Sequence, residues 1–328
     1  MPGTTFIQIL KQQASRRPQG LAYRCGDQLW TFADVERDTN RIANALAALG
    51  VGAGDRVAAL TKYHVDTLLL TLGAAKLGAV CMPVNWRLAP TEVQYIVEHG
   101  GAKLMMADRA FLPLVNLPAL PTIQQVVVTD GAHDSLPAWR EWFGAASDQF
   151  QAVDAKPEDP MLQLYSSGTT GLPKGVVLSH AGLIFNCQLG EGVWKVDEHS
   201  VVGNALPTFH IAGATMGLFP LYAGAVGSSY PDFDPGAFID AIGQHGITHT
   251  FVVPAMILFM LQSPKIKQGN FKTLKLMSYG GSPISDRVLT EAMAAFGCGF
   301  MQVYGLTEIS GSATFLQPED HQTTGPKA

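Results

Sequence analysis

The chain has 328 residues, of which 47% are hydrophobic and only 15% charged, with a formal net charge of −5. That length suggests about two domains, the apolar fraction supports a large core, and the low charge argues against intrinsic disorder. A net negative balance offers no electrostatic footprint for nucleic acid, so small anionic ligands have to be held by local loops. Cys25, Cys81, Cys187 and Cys298 lie far apart with no C-x-x-C pair, which excludes zinc spacing and fits reduced thiols in a cytoplasmic protein. Met1 to Pro18 lacks the basic head and apolar stretch of a signal peptide, and no apolar run reaches the roughly 20 residues of a membrane span.

In chain order, an amphipathic helix is expected over residues 4–16, closed by Pro18. A hairpin follows, with Leu21–Arg24 and Leu29–Phe32 flanking Gly26 and Asp27. Thr31-Phe-Ala-Asp34 has capping-box spacing ahead of a second helix, which Gly50 is placed to stop. Strands and helices then alternate. Arg56–Thr61 reads as a strand, 64–77 as a buried helix, Ala79–Val84 as a strand, Thr91–His99 as a helix, and Lys103–Ala107 and Gln125–Val128 as strands. Residues 111–160, rich in Pro, Ala and Asp, read as a peripheral loop and helix.

Met161–Ser166 is a strand that feeds Leu164-Tyr-Ser-Ser-Gly-Thr-Thr-Gly-Leu-Pro-Lys-Gly175, and Val176–Leu178 is a strand after it. Glycines allow close backbone approach, hydroxyls and N–H groups can face anionic oxygens, and Lys174 adds a mobile positive charge. This is a phosphate cradle, yet not the common nucleotide loop, because Pro173 stands where that motif requires Gly before Lys. The alternation resumes through strands at Val201–Leu206, Ala225–Tyr230, Ile247–Val253, Leu274–Tyr279 and Phe300–Tyr304. Helices are expected from near Ser179 and over 211–222, 235–245, 255–262 and 285–296. The pattern predicts an α/β fold of two stacked, mainly parallel sheets with flanking helices. Residues 1–55 are expected to pack with a second α/β subdomain at 191–328, and 56–190 to form the first.

Three further segments join the glycine-rich loop: Leu206-Pro-Thr-Phe-His-Ile-Ala-Gly213, Tyr279-Gly-Gly-Ser-Pro-Ile-Ser285 and Val303-Tyr-Gly-Leu-Thr-Glu308. In this order the four resemble the signature motifs of the adenylate-forming superfamily, which comprises acyl-CoA synthetases, peptide-synthetase adenylation domains and luciferases. The resemblance covers essentially the whole chain. It implies that ATP activates a carboxylic acid to an acyl-adenylate, from which coenzyme A then displaces AMP.

By the same resemblance, Ser166, Ser167, Gly168, Thr169, Thr170 and Gly171 hold the phosphates, and Lys174 neutralises the leaving pyrophosphate. Thr307 bonds the α-phosphate and Glu308 carries Mg²⁺. Tyr304 stacks on adenine, Gly280, Gly281 and Ser282 line its other side, Gln302 sits near its amine, and Val303 and Gly305 complete the nucleotide wall. His210 gates or orients the acyl group. Gly213, Gly217, Gly305 and Gly311, with Ile309 and Met216, are read as room for a fatty or aryl chain.

The family pattern continues with the rest of a small β-barrel and a mobile C-terminal domain, so this chain is expected to carry an incomplete barrel at its end. It is also expected to bind nucleotide while turning over poorly. Open strand edges raise dimerisation as a further expectation. Two alternatives stand beside the ligase reading: a non-enzymatic adenylate- or acyl-binding module, and a luciferase-like or carrier-protein adenylating enzyme.

Overall fold

The computed structural model describes residues 3–62, 64–166 and 171–321. It opens with α1 (Phe6–Arg16), whose first turn is closed by a capping box between Thr5 and Gln8. The hairpin β1 (Leu21–Cys25) and β2 (Gln28–Thr31) follows, then α2 (Phe32–Ala48). At the head of α2 the Thr31 hydroxyl accepts from the Asp34 amide while the Asp34 side chain reaches back, the box expected from the sequence. Gly50 follows α2 in the left-handed region at φ +71.

The chain continues through β3 (Arg56–Leu60), α3 (His64–Ala75), β4 (Val80–Pro83), α4 (Pro90–Gly100), β5 (Ala102–Ala107), β6 (Gln125–Val128), α5 (Trp139–Gly144), β7 (Pro160–Ser166) and β8 (Lys174–Ser179). These six strands, β3 to β8, form one sheet in the order β6-β5-β3-β4-β7-β8. Next come α6 (His180–Trp194), β9 (Val201–Asn204), α7 (Ile211–Ala223), β10 (Val226–Ser229), α8 (Pro235–Gln244), β11 (His249–Val252) and α9 (Pro254–Gln262). The described chain ends through β12 (Leu276–Gly280), α10 (Asp286–Phe296), β13 (Gly299–Leu306) and β14 (Gly311–Leu316). The second sheet has eight strands in the order β14-β13-β12-β11-β9-β10-β1-β2, so the N-terminal hairpin completes the edge beside β10.

Parallel pairing dominates. The antiparallel strands β2, β8 and β14 all lie at sheet edges. The long apolar stretch after β3 is α3, in which all twelve residues are buried, so the helix is apolar on every side because it runs through the core. One continuous apolar cluster joins both sheets through α2, α3 and α7. Among the described residues no helix is long and apolar enough to cross a membrane.

Two expectations change. Residues 111–160 are not peripheral throughout: Trp139 in α5 is fully buried and its indole N–H donates to Asp66 at 2.9 Å. The expected piece of barrel is β14, which extends the eight-stranded sheet as an edge strand against β13.

Each sheet reverses direction once. In the eight-stranded sheet β9 connects to β10 on one side while β11 connects to β12 on the other. The loops at the C-terminal ends of β9 and β11 therefore diverge and leave a crevice, the position where open α/β sheets bind ligands. In the six-stranded sheet β3 connects to β4 and β5 to β6, which creates a second crevice.

Candidate active site

The crevice between β9 and β11 opens into a cleft of about 690 Å³. Its walls come from the loop after β9, the first turns of α7, the start of α9, and the ends of β12 and β13. Gly280, Gly281, Gly305 and Thr307 form a polar part of the lining and offer backbone and a hydroxyl. Trp194, Met216, Phe251 and Met256, all buried, form its apolar part, with the Phe251 ring 3.1 Å from where a Cβ on Gly280 would stand. His210, Arg87, Asp232 and the half-exposed Phe259 stand on the same walls.

The glycines of the polar part are imposed by backbone crowding. β12 and β13 run parallel with Gly280 opposite Val303, and a Cβ on Gly280 would lie 2.2 Å from the Val303 carbonyl oxygen. A Cβ on Gly305 would lie 2.0 Å from the Gly311 carbonyl oxygen. Both distances are impossible for any other residue without moving a strand.

After β13 the chain makes a single 3₁₀ turn, Thr307–Ile309, and closes on Ser310 in the left-handed region at φ +65. Asn186 of α6 holds that turn from below, its side-chain N–H donating to the Ser310 carbonyl at 2.8 Å. The turn presents Glu308 to solvent, where one carboxylate oxygen accepts from the Ser166 hydroxyl at 3.2 Å. This bond joins the end of β7 in one sheet to the turn beyond β13 in the other. Lys174 pairs with Ser166 across the β7–β8 hairpin and is exposed. Gly171 has φ +95, while Ser167, Gly168, Thr169 and Thr170 lie outside the described residues.

His210 is the N-cap residue of α7, and its side chain makes no capping hydrogen bond. Its ring packs edge-on against Phe209 with centroids 4.6 Å apart. Partial burial, and then the nearby Arg87 guanidinium, hold its pKa below the ordinary histidine value, which keeps the imidazole neutral at pH 7. Arg87 itself lies 4.7 Å over the Trp86 ring. Among the described residues there is no group of three or more His, Cys, Asp or Glu placed to hold a metal.

The structure thus brings His210, Gly280, Gly281, Val303, Gly305 and Thr307 into one wall and sets Ser166 against Glu308. Ser282, Gln302, Tyr304 and Lys174 do not line the cleft. Tyr304 is 60% exposed, so it is no core tyrosine, and the β13–β14 register is irregular beside it. Gly213 and Gly217 depart from the expected acyl role. They lie on the opposite face of α7, toward α3, in a separate small void with His64 and Thr71. A Cβ on Gly213 would meet the Pro207 carbonyl oxygen at 2.1 Å, so this glycine serves packing. The cleft face of α7 carries Ile211, Ala212, Thr215 and Met216 instead.

Sequence reasoning missed Arg87, Trp194, Asp232, Phe251, Met256 and Phe259. Arg87 had a usable signal, because it follows the C-terminal end of β4, the same position that marks the other motifs. The apolar residues had none, since a cleft wall and a core position have the same composition.

The chain matches the family model described as AMP-binding enzyme over residues 10–328. It is 37% identical over 328 residues to the fatty acid–[acyl-carrier-protein] ligase ScoC of Streptomyces coeruleorubidus, covering 98% of this chain and 62% of that protein. It is 33% identical over 316 residues to the long-chain-fatty-acid–CoA ligase FadD13 of Mycobacterium tuberculosis, covering 95% of this chain and again 62% of the relative. The chain therefore spans about 62% of the length of these curated relatives. Among solved structures, the inhibitor-bound N-terminal domain of FACL13 from Mycobacterium tuberculosis superposes with a TM-score of 0.89 at 30% identity, covering 96% of this chain and 79% of that one. The anthranilate CoA ligase AuaEII in complex with anthranoyl-AMP superposes with a TM-score of 0.92 at 25% identity, covering 98% of this chain and 64% of that one.

Proposed function

Since this chain belongs to the AMP-binding enzyme family, we propose that it activates an apolar carboxylic acid, fatty or aryl, as its acyl-adenylate and passes the acyl group to the thiol of coenzyme A. The observation that carries this reading is the mixed lining of the cleft: bare backbone at Gly280, Gly281 and Gly305 and the Thr307 hydroxyl, together with the buried Trp194, Met216, Phe251 and Met256. An acyl-adenylate is mixed in the same way, with a polar nucleotide on one side of the carboxyl carbon and an apolar chain on the other. Amino-acid activation fits less well, because no carboxylate stands among the buried residues of the apolar part.

In the first step a carboxylate oxygen attacks the α-phosphorus of ATP, a new O–P bond forms, and the bond to pyrophosphate breaks. Charge builds on oxygens that are already anionic, so positioning and electrostatic stabilisation supply the catalysis. Thr307 donates its hydroxyl toward the α-phosphate, and the hydroxyls and amides that follow β7 hold the outer phosphates. Lys174, exposed at the loop end of the β7–β8 hairpin, brings its ammonium to the leaving pyrophosphate. His210 is neutral and orients the incoming carboxylate without repelling or protonating it. Glu308 suits Mg²⁺, a hard ion that typically takes one or two protein carboxylates and completes its shell with phosphate oxygens and water. When bound, the ion neutralises phosphate charge.

A second reading differs only in the acceptor. The ScoC relative is named for transfer to an acyl-carrier protein, which favours a carrier-bound thiol as the alternative. Calorimetric titration with AMP and with a non-hydrolysable acyl-adenylate tests the shared first half. The acyl-adenylate is expected to bind more tightly, and equal affinities would sink the acyl assignment. Product analysis with coenzyme A against a carrier protein bearing the same thiol then separates the two acceptors.

A further inference from the structure

We propose that Trp194 is the floor of the acyl end of the cleft and fixes the longest chain the protein accepts. The proposal rests on the acyl-activation reading and adds the residue that sets its selectivity. Trp194 is the last residue of α6, lines the cleft and is only 9% exposed. Eight residues earlier on the same helix, Asn186 bonds Ser310 beside the Glu308 turn. At a rise of about 1.5 Å per residue, the Trp194 backbone lies roughly 12 Å along the helix from the residue that makes that bond. That interval leaves room for an acyl group, and the ring closes it.

The indole is wedged from behind. Phe219 packs against it edge-on at 5.1 Å between centroids, and Phe251 lies at 6.5 Å. One turn earlier, an added Cβ on Gly190 would approach Phe219 to 3.2 Å and the Trp194 ring to 3.5 Å. Removing the indole would therefore open a continuous space in front of Phe219 and beside Gly190. The indole N–H, meanwhile, is buried with no hydrogen-bond partner. Buried tryptophans ordinarily satisfy that group, and one held by ring contacts alone is retained for its shape. A structural core position would be filled at lower cost by phenylalanine or leucine.

The test measures affinities of acyl-sulfamoyl-adenosines, with chains from four to eighteen carbons, for this chain and for Trp194→Ala and Trp194→Phe. For the unaltered protein, affinity should rise about fourfold per methylene as the chain fills the apolar end, then break when it reaches the ring. Trp194→Ala should move the break to longer chains, each further methylene again worth about fourfold. Trp194→Phe, which keeps a ring and removes the N–H, should hold the break near its original place. AMP affinity should be the same in all three, because the Phe251 ring, not the indole, packs against Gly280. An unmoved break in Trp194→Ala, or one that moves only in Phe259→Ala, overturns the proposal. If Trp194→Ala loses AMP binding and so does not fold, Trp194→Leu supplies the same comparison, and an unmoved break there overturns it equally. If the unaltered protein binds no acyl analogue more tightly than AMP, the acyl reading itself fails and the floor with it.

Discussion

At the C-terminal ends of β3 and β5, the crevice of the six-stranded sheet carries a cleft of about 540 Å³ whose polar groups are already committed to one another. The Asp108 carboxylate accepts from the hydroxyls of Thr61 and Thr129 and from the Lys62 amide at 2.9 Å. The Lys62 ammonium reaches Asp232 at 2.6 Å and sits 5.0 Å over Trp86, while Tyr230 and His245 bond each other at 2.7 Å. Asp130 accepts from the Arg109 amide at 3.0 Å. At β9 and β11 the same connection rule yields the opposite outcome. There His210 caps nothing, the Trp194 N–H is unpaired, and no ion pair engages Arg87 among the described residues. Strand order creates both crevices, but only the one with uncommitted groups and bare backbone is equipped to take a ligand.

The largest effect should come from the open side. Glu308→Ala removes an exposed carboxylate whose contact with the fold is the exposed hydrogen bond from the Ser166 hydroxyl. Acid-dependent ATP–pyrophosphate exchange is expected to fall about a hundredfold or more while the melting temperature stays put. A drop in melting temperature with exchange preserved would reverse the contrast between the crevices. Asp108→Ala should do the converse. It removes the acceptor shared by the Thr61 and Thr129 hydroxyls and the Lys62 amide, at a cost of about 3 kcal/mol in urea unfolding, with AMP affinity unchanged.

Acid sharpens the comparison next. Burial lowers His64 and His180 from 6.5 to about 4, so both are neutral in the fold while the unfolded chain protonates earlier. Their contribution to stability is complete above pH 6.5 and is lost as pH falls from there toward 4. Each is worth on the order of 2–3 kcal/mol over that window. Denaturant titrations at pH 7 and 4.5 should show the loss, and His64→Gln should shrink it. The smallest effect is expected from Lys62→Met. Its partner Asp232 is 73% exposed, so the pair should be worth under about 1 kcal/mol in urea titration.

The legible parts of this molecule are those where backbone geometry restricts the residue. Gly280 and Gly305 were found through the resemblance of their motifs, and they must be glycine because a backbone carbonyl lies about 2 Å from where a side chain would begin. Thr31 and Asp34 announced themselves because a helix start needs those acceptors. The α/β alternation gave the layered fold for the same reason: period and punctuation are local. Phe251, Met256 and Trp194 were not legible, because apolar residues facing a cleft obey the same pattern as those facing a core. Tertiary placement was also hidden in α7, where Gly213, Ala214 and Gly217 turned out to line the small void toward α3, and Thr215 and Met216 the cleft. The antiparallel return of β14 and the burial of Trp139 depend on contacts far along the chain, beyond any local signal.

The helix α6 has one more consequence. It is a fifteen-residue rod, hooked at Asn186 to the turn that carries Glu308 and tipped by Trp194. A beam fixed near its middle and loaded at its tip transmits force, so a chain long enough to push on the tip also leans on the hook. Reach and chemistry then share a strut, and an oversized acid would be penalised twice, once by exclusion and once by a displaced carboxylate. A double-mutant cycle on Asn186→Ala and Trp194→Ala, read as long-chain analogue affinity, gives that coupling directly, and strict additivity would mean that the strut bears no load.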